Sequence, residues 1–480
     1  MPTFDRQKRE SETSRPFERW LAVGIYALIA AFLLHEMLLK PISSEDAYQQ
    51  GCGLEGGVIN CLSHFHRFGW RIPRIGEVYH FSVIWLFPNY PQVGVAVVFR
   101  LINAIAFFAL FLLLFRLAVG RWPRLTALDA VVITLPYPIL LLSQISRDVV
   151  FNGFSNTHNY LPVMVANLTV VYILVTFNDI AARIGRLPAM AFGSIAFFVA
   201  TAGFDSATVI ILALIMGSIF LFRSWSINHS ATESLRPLWI SAIIGWAGGA
   251  YFFFGFGNGI ESISRRMEAG VQGSVDPTSS PMDLVEYAIR NVLSHFWLFL
   301  PYIIVGVITA YLLHRPASSE LNEDNKKLYR TTIICLMFGV LYLLGMAPIA
   351  NANSRVSSPA LILFLVPAMS LAYYLLRRVS PVIWRIAAIA SLILVLAMFV
   401  DGVTSLTARR HQVATALATI EQQHCVDAQF VNSIDFGTTL SSRLFGFSRY
   451  ENPFNLMFRP WHVDFFNLDG VQIPIADTCE

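Results

Sequence analysis

Charge is what this 480-residue chain has least of: only 14% of residues are Asp, Glu, Lys or Arg, against 55% hydrophobic, and the mean hydropathy is +0.57. So little polar surface excludes a soluble globular domain of this length. The net charge is +3, too small to imply a nucleic-acid partner. Cysteine is also scarce, five in all, which excludes a disulfide-dense scaffold. No internal repeat or low-complexity tract is found, which argues against a solenoid or a disordered tail. A cleavable leader is not expected either. Arg6, Lys8, Arg9, Arg15 and Arg19 precede an apolar run, but that run is too long for a signal-peptide core, and no small-x-small site follows in "HEMLLKPISS".

What the chain does have is apolar length. About 20 apolar residues span a hydrocarbon core as helix, and eleven stretches reach or approach that: 20–39, 93–119, 127–145, 159–177, 189–204, 208–222, 237–254, 291–313, 331–348, 359–376 and 382–400. The fold class expected is an all-α polytopic membrane protein, with a small α+β cap formed by the C-terminal residues. The segments between the stretches fall into two alternating sets. The set that includes the N-terminal tail holds 19 Lys and Arg when Arg116 and Arg385, just inside the ends of neighbouring stretches, are counted with it, and the other set holds nine, leaving out Arg100 and the C-terminal tail. The positive-inside rule therefore makes 1–19 a cytoplasmic tail, 20–400 the membrane domain and 401–480 an external domain. Cys52, Cys61, Cys425 and Cys479 all fall on the external side, where disulfides persist, while Cys335 lies inside a helix. Pairing within each segment, Cys52 with Cys61 and Cys425 with Cys479, is favoured among the three possible connectivities.

The external side is the elaborate one. Its first loop, 40–92, and a later one, 255–290, exceed the ordinary length of a connection, which marks a working face. Directly after the first apolar stretch comes "SSEDAYQQG", placing Glu45 and Asp46 side by side at the membrane surface. Adjacent carboxylates next to a low-dielectric slab have one pKa raised, and such a group accepts a proton from a hydroxyl. Two solvated acids at a helix end are the plainer alternative. Further on, "HFHRFGWRIPRIGEVYHF" supplies His66, Arg71 and Arg74 among other polar residues; guanidinium groups facing a membrane suit phosphate. A metal site is not expected, because H-x-H without a further ligand is a weak signal. Polar residues also gather in "SRDVVFNGFSNTHNYLP", with Asp148, His158, Asn159 and Tyr160, at Asp205, and in "NANSRVSSPA", where Arg355 is the lone charge before a late helix.

Taken in order, a basic tail, one helix, an acidic pair opening a long external loop, many further helices and an external C-terminal domain resemble the GT-C superfamily of membrane glycosyltransferases. "SSEDAYQQG" with Tyr48 after the acidic pair, "GWRIP", "SNTHNYLPVM" and "SRVSSPALILF" look like a bacterial branch of it, with the branch's Gly-Arg step interrupted here as Gly69, Trp70, Arg71. The resemblance implies a multi-pass protein of the bacterial inner membrane that moves a sugar from a polyprenyl-phosphate donor to a glycan or glycolipid acceptor. It implies Asp46 as general base, with Glu45 the alternative, and Arg355 with Arg71 or Arg74 on the donor phosphate. Tyr48, His66, Asp148, His158, Asn159 and Tyr160 would shape the substrate pocket. Arginines holding the phosphate remove the need for a divalent ion, so no metal and no cofactor are expected. Two other classes remain open: a polysaccharide polymerase or O-antigen ligase using a polyprenyl-diphosphate glycan, and, less favoured, a transporter, which needs polar or broken helices at mid-membrane.

Overall fold

A chain this apolar meets its backbone hydrogen-bonding needs by coiling, because lipid offers N–H and C=O groups no partner. In the computed structural model, which describes residues 16–39, 79, 96–142, 154–203, 229–257, 281–314, 323–346 and 357–423, helix dominates and no strand occurs among the described residues. The elements are α1 (Pro16–Leu39), α2 (Ala96–Val119), α3 (Ala127–Thr134), α4 (Pro136–Leu142), α5 (Phe154–Ile184), α6 (Arg186–Ala202), α7 (His229–Gly257), α8 (Pro281–His314), α9 (Glu323–Met346), α10 (Ser358–Leu376) and α11 (Pro381–Gln423).

Contacts between side chains fix the direction of each helix. Ser370 of α10 donates to the Ala118 carbonyl of α2 (2.9 Å) and Arg121 to the Tyr373 hydroxyl (3.4 Å), so both helices end together. Phe299 stacks on Phe364 and Thr309 donates to the Pro367 carbonyl (3.2 Å), so α8 runs with α10. His314 stacks on Tyr329, which turns α9 back the other way. The Lys327–Asp179 pair (2.7 Å) then brings the end of α5 to the start of α9. Arg385 meets Glu18 (2.9 Å) while His35 meets Phe399, so α11 runs with α1. One end of the bundle thus collects Glu18, Arg116, Arg121, Arg124, Lys327, Arg377, Arg378 and Arg385; we call it the basic end. The termini of α1, α9 and α11 and the starts of α2, α5, α8 and α10 lie at the opposite end.

α10 is the axis of this bundle. It packs on α9, α8, α2, α5 and α3, and from Ser358 to Pro367 every residue is buried. Phe107, Phe111, Phe115 and Phe364 fill the space around it. α6 and α7 form a flanking pair joined by small residues. Ser241, Gly245 and Gly249 recur every four residues on α7, and a Cβ added at Gly249 would lie 2.6 Å from the Cβ of Thr201 on α6. Close backbone approach of this kind is how helices associate in lipid, where apolar burial gives no advantage. Ser241 adds a hydrogen bond to the Met190 carbonyl at 2.8 Å. Outward-facing Ile105, Ile195, Tyr251, Trp297, Ile386 and Ile393 remain exposed, the pattern of a surface that faces hydrocarbon.

Among the described residues seven helices are long and apolar enough to cross a membrane, fewer than the eleven expected. The stretch 127–145 is one reason: it divides into α3 and α4 at Pro136, which lacks the N–H a continuous helix needs. Residues 189–202 of the stretch 189–204 lie in α6, which has 17 residues. Stretch 237–254 lies within α7, and 208–222 falls outside the described residues. At the other extreme, α11 carries on without a break across residue 400 to Gln423, 43 residues in all, so the expected boundary at 400/401 falls inside a helix. The α+β cap expected beyond it lies outside the described residues.

Candidate functional site

Polar groups at the two ends are organised differently. At the basic end they satisfy one another. Asp129, fully buried on the first turn of α3, receives Arg121 in a two-point grip (2.6 and 2.8 Å) and the Arg124 backbone N–H (2.7 Å). The Asp129 N–H in turn donates to the Thr126 side chain, capping α3. Tyr26 of α1 donates to the Arg124 carbonyl at 2.9 Å. Burial works against the charged form of Arg121, but the Asp129 carboxylate overrides it and holds the guanidinium above its ordinary pKa. Arg116 stacks against Trp122 and Tyr172. This is a clasp that ties the 120–126 turn to α1, α3 and α10; Gly120, with φ of 82°, makes the turn possible. Both oxygens of the Asp129 carboxylate are engaged within the clasp.

At the opposite end, buried polar groups interrupt apolar faces. Arg100, buried near the start of α2, donates to the Leu38 carbonyl and so ties α2 to the exit of α1. Asn103 follows one turn later, 2% exposed. His158 at the start of α5 is fully buried, with the ring of Tyr79 packed edge-on at 4.8 Å; burial pushes the Tyr79 phenol up to about 12. Ser357 precedes α10 as its cap residue without a side-chain cap bond. Asp401 of α11 is buried as well. On α8, His295 donates from Nδ1 to the Asn291 carbonyl (2.8 Å). Four atoms here, Asn103 Nδ2, Ser357 Oγ, Asn291 Nδ2 and His295 Nε2, are buried without a hydrogen-bond partner among the described residues. Leaving such an atom unsatisfied costs about 1–3 kcal/mol.

Two residues expected from sequence are brought into this layer with their side chains: His158 and Tyr160, the latter 3% exposed. Asn159 stands between them on α5. Tyr79, from the long loop expected to carry the acidic pair, reaches His158. Glu45, Asp46, Tyr48, His66, Arg71, Arg74, Asp148, Asp205, Arg355, Cys52, Cys61, Cys425 and Cys479 lie outside the described residues. Asn103, Asn291 and His295 were not singled out by the sequence pattern. Their signal was present as isolated polar letters inside apolar runs, "RLINAIAF" and "RNVLSHFWLF". Among the described residues no group of three His, Cys, Asp or Glu side chains is placed to hold a metal.

Compared with known proteins, the chain matches no family model, no curated protein and no solved structure. What the fold and the polar layer define is therefore a class by architecture: a multi-pass helical membrane protein with a clasped basic end and a buried polar layer at the other.

Proposed function

We propose that this protein is an integral-membrane glycosyltransferase that takes a sugar from a polyprenyl-phosphate donor and transfers it to a glycan or glycolipid acceptor. The reaction takes place at the end of the bundle opposite the basic end. By the excess of Lys and Arg on the other side, that is the external face of a bacterial inner membrane, with the N-terminus cytoplasmic.

One observation carries this reading. The helix that leads into the acidic pair and the helix that follows Arg355 open at the same end of one packed group. α1 exits beside Arg100 of α2, and α2 lies along α10. Asp46 follows Leu39 by seven residues and Arg355 precedes Ser357 by two, so covalent reach limits them to roughly 25 Å and 7 Å from those helix ends. A carboxylate and an arginine on such tethers suit transfer from a phosphate. The acceptor oxygen attacks the anomeric carbon while its proton passes to Asp46. The bond from the anomeric carbon to the phosphate oxygen breaks through an oxocarbenium-like state, and the electron pair leaves with the phosphate, whose charge Arg355 offsets.

Membranes carrying Asp46→Asn, supplied with labelled polyprenyl-phosphate sugars, are expected to transfer about 10²- to 10⁴-fold more slowly than wild type. An Asp46→Asn rate equal to wild type moves the base elsewhere. If Glu45→Gln is also unaffected, the acidic pair has no part in the reaction.

A further inference from the structure

We propose that His295 and Asn291 of α8 form a hydroxyl-binding subsite, and that its ligand is the sugar of the lipid-linked substrate. The identity of the ligand rests on the function proposed above; the subsite itself rests on geometry.

α8 turns one stripe toward α9 and α10, in which His295, Phe299, Gly306, Thr309, Ala310 and Leu313 are buried. The stripe is apolar or self-satisfied from Phe299 onward. Thr309, for example, donates to the Val305 and Pro367 carbonyls. It turns polar at its outer end, at His295 and, one turn above it, the half-buried Asn291. His295 is fully buried in a helix whose remaining surface is largely exposed and apolar. A leucine there would avoid the penalty of an unsatisfied imidazole inside a membrane span, so a polar residue at this depth marks a function.

The form of the site defines the ligand. The imidazole is fixed by its bond from Nδ1 to the Asn291 carbonyl, so the neutral ring presents a lone pair at Nε2. The Asn291 Nδ2 presents hydrogens. Both atoms lack a partner among the described residues. An acceptor and a donor one helical turn apart match a group that both gives and takes a hydrogen bond, as a hydroxyl does. An anion is disfavoured by the lone pair, and a metal by the want of further ligands among the described residues. Immediately below, Phe299 lies against Phe364 of α10 (5.7 Å between ring centres) and Tyr302 (6.2 Å). The Phe299 and Phe364 rings are buried against each other and form an apolar floor that closes the site below the paired polar groups. The start of α10 that this floor adjoins is the segment following Arg355, where the donor phosphate is proposed to sit.

The test uses the full-length protein in phosphatidylcholine nanodiscs. Its melting temperature is measured with a panel of polyprenyl-phosphate monosaccharides, with polyprenyl phosphate lacking sugar, and with phosphatidylglycerol, whose glycerol carries hydroxyls without a sugar. Wild type and His295→Gln, whose amide restores a hydrogen-bonding group near the Nε2 position, are expected to be stabilised more by at least one sugar-bearing lipid than by bare polyprenyl phosphate. His295→Leu is expected to lose that extra shift, to keep the shift due to polyprenyl phosphate alone, and to melt no lower than wild type without ligand. Should His295→Leu not fold, Asn291→Leu, which keeps the carbonyl that holds the ring, tests the same loss. A sugar-dependent shift that survives in these variants overturns the subsite but leaves the donor reading intact. Absence of any polyprenyl-phosphate response in wild type overturns the donor reading, and the sugar assignment with it. A phosphatidylglycerol shift lost in His295→Leu transfers the hydroxyl to a lipid head group and overturns the sugar assignment alone.

Discussion

Asp129 shows how much one side chain can organise in a membrane protein. Its carboxylate has no exposure and joins the α2–α3 turn to α10 through Arg121, whose side chain is 30% exposed. Removing one partner of a buried pair costs about 3–5 kcal/mol, and the partial exposure of Arg121 lowers this to about 2–4 kcal/mol for Asp129→Ala. Denaturant titration in mixed micelles should detect that loss. Asp129→Asn, which keeps an acceptor for the Arg124 N–H, is expected to lose less, and equal losses in the two variants would mean that the charge carries the whole effect and the retained acceptor none of it. Neither member of this pair stands out in the sequence, because a charge in a short basic loop looks the same whether it is solvated or clasped. His158 and Tyr160, by contrast, were legible as a polar cluster opening an apolar stretch. His295 was not, since one histidine in a long apolar run has no neighbouring letters that give it a role; only its burial and its open Nε2 do so.

Among elements, the α6–α7 pair gives the cleanest contrast between glycines that look alike in sequence. A Cβ on Gly245 would meet the Ser194 carbonyl, which is backbone and cannot yield, and would stand 2.6 Å from the Cβ of Phe197. At Gly248 the nearest atom is the Phe198 ring Cδ2 at 3.2 Å, which can swing aside. Gly245→Ala is therefore expected to destabilise by about 1–3 kcal/mol. Gly248→Ala should be close to neutral, because alanine's helix preference of about 1 kcal/mol offsets the crowding. Thermal melts of the two variants decide the matter, and equal melting temperatures would contradict the close packing of α6 on α7. Hydropathy located the elements well where proline and length were ordinary. It failed at 127–145, where the letters are mostly apolar and the break depends on a backbone donor that Pro136 lacks, and at 382–400, where the apolar run ends but the helix does not. An apolar-to-polar change marks the edge of lipid, not the end of a hydrogen-bonded ladder.

For the whole molecule, contacts fix which helix ends lie together among the described residues: basic residues cluster at one end, and α6 runs parallel to α7. Which end faces the cytoplasm follows from the positive-inside rule and can be measured. Single cysteines at Leu187 near the basic end and at Thr415 on α11, both exposed positions, are expected to react with an impermeant maleimide from opposite sides of sealed vesicles. In right-side-out vesicles Thr415→Cys should label and Leu187→Cys should not; the reverse pattern would invert the topology and remove the proposed reaction from the external face.

The shared direction of α2, α5 and α10 has an electrostatic consequence. These three are the most buried of the membrane-length helices, and all begin at the end opposite the basic clasp, whereas α1, α9 and α11, which finish there, lie further out. Each helix start carries roughly half a positive elementary charge from its aligned peptide dipoles. Those three partial charges add up close to the axis of the bundle, while the opposing ones, on the less buried helices, lie further from it. A diffusing lipid phosphate would thus be drawn inward by a positive potential even before it touches an arginine.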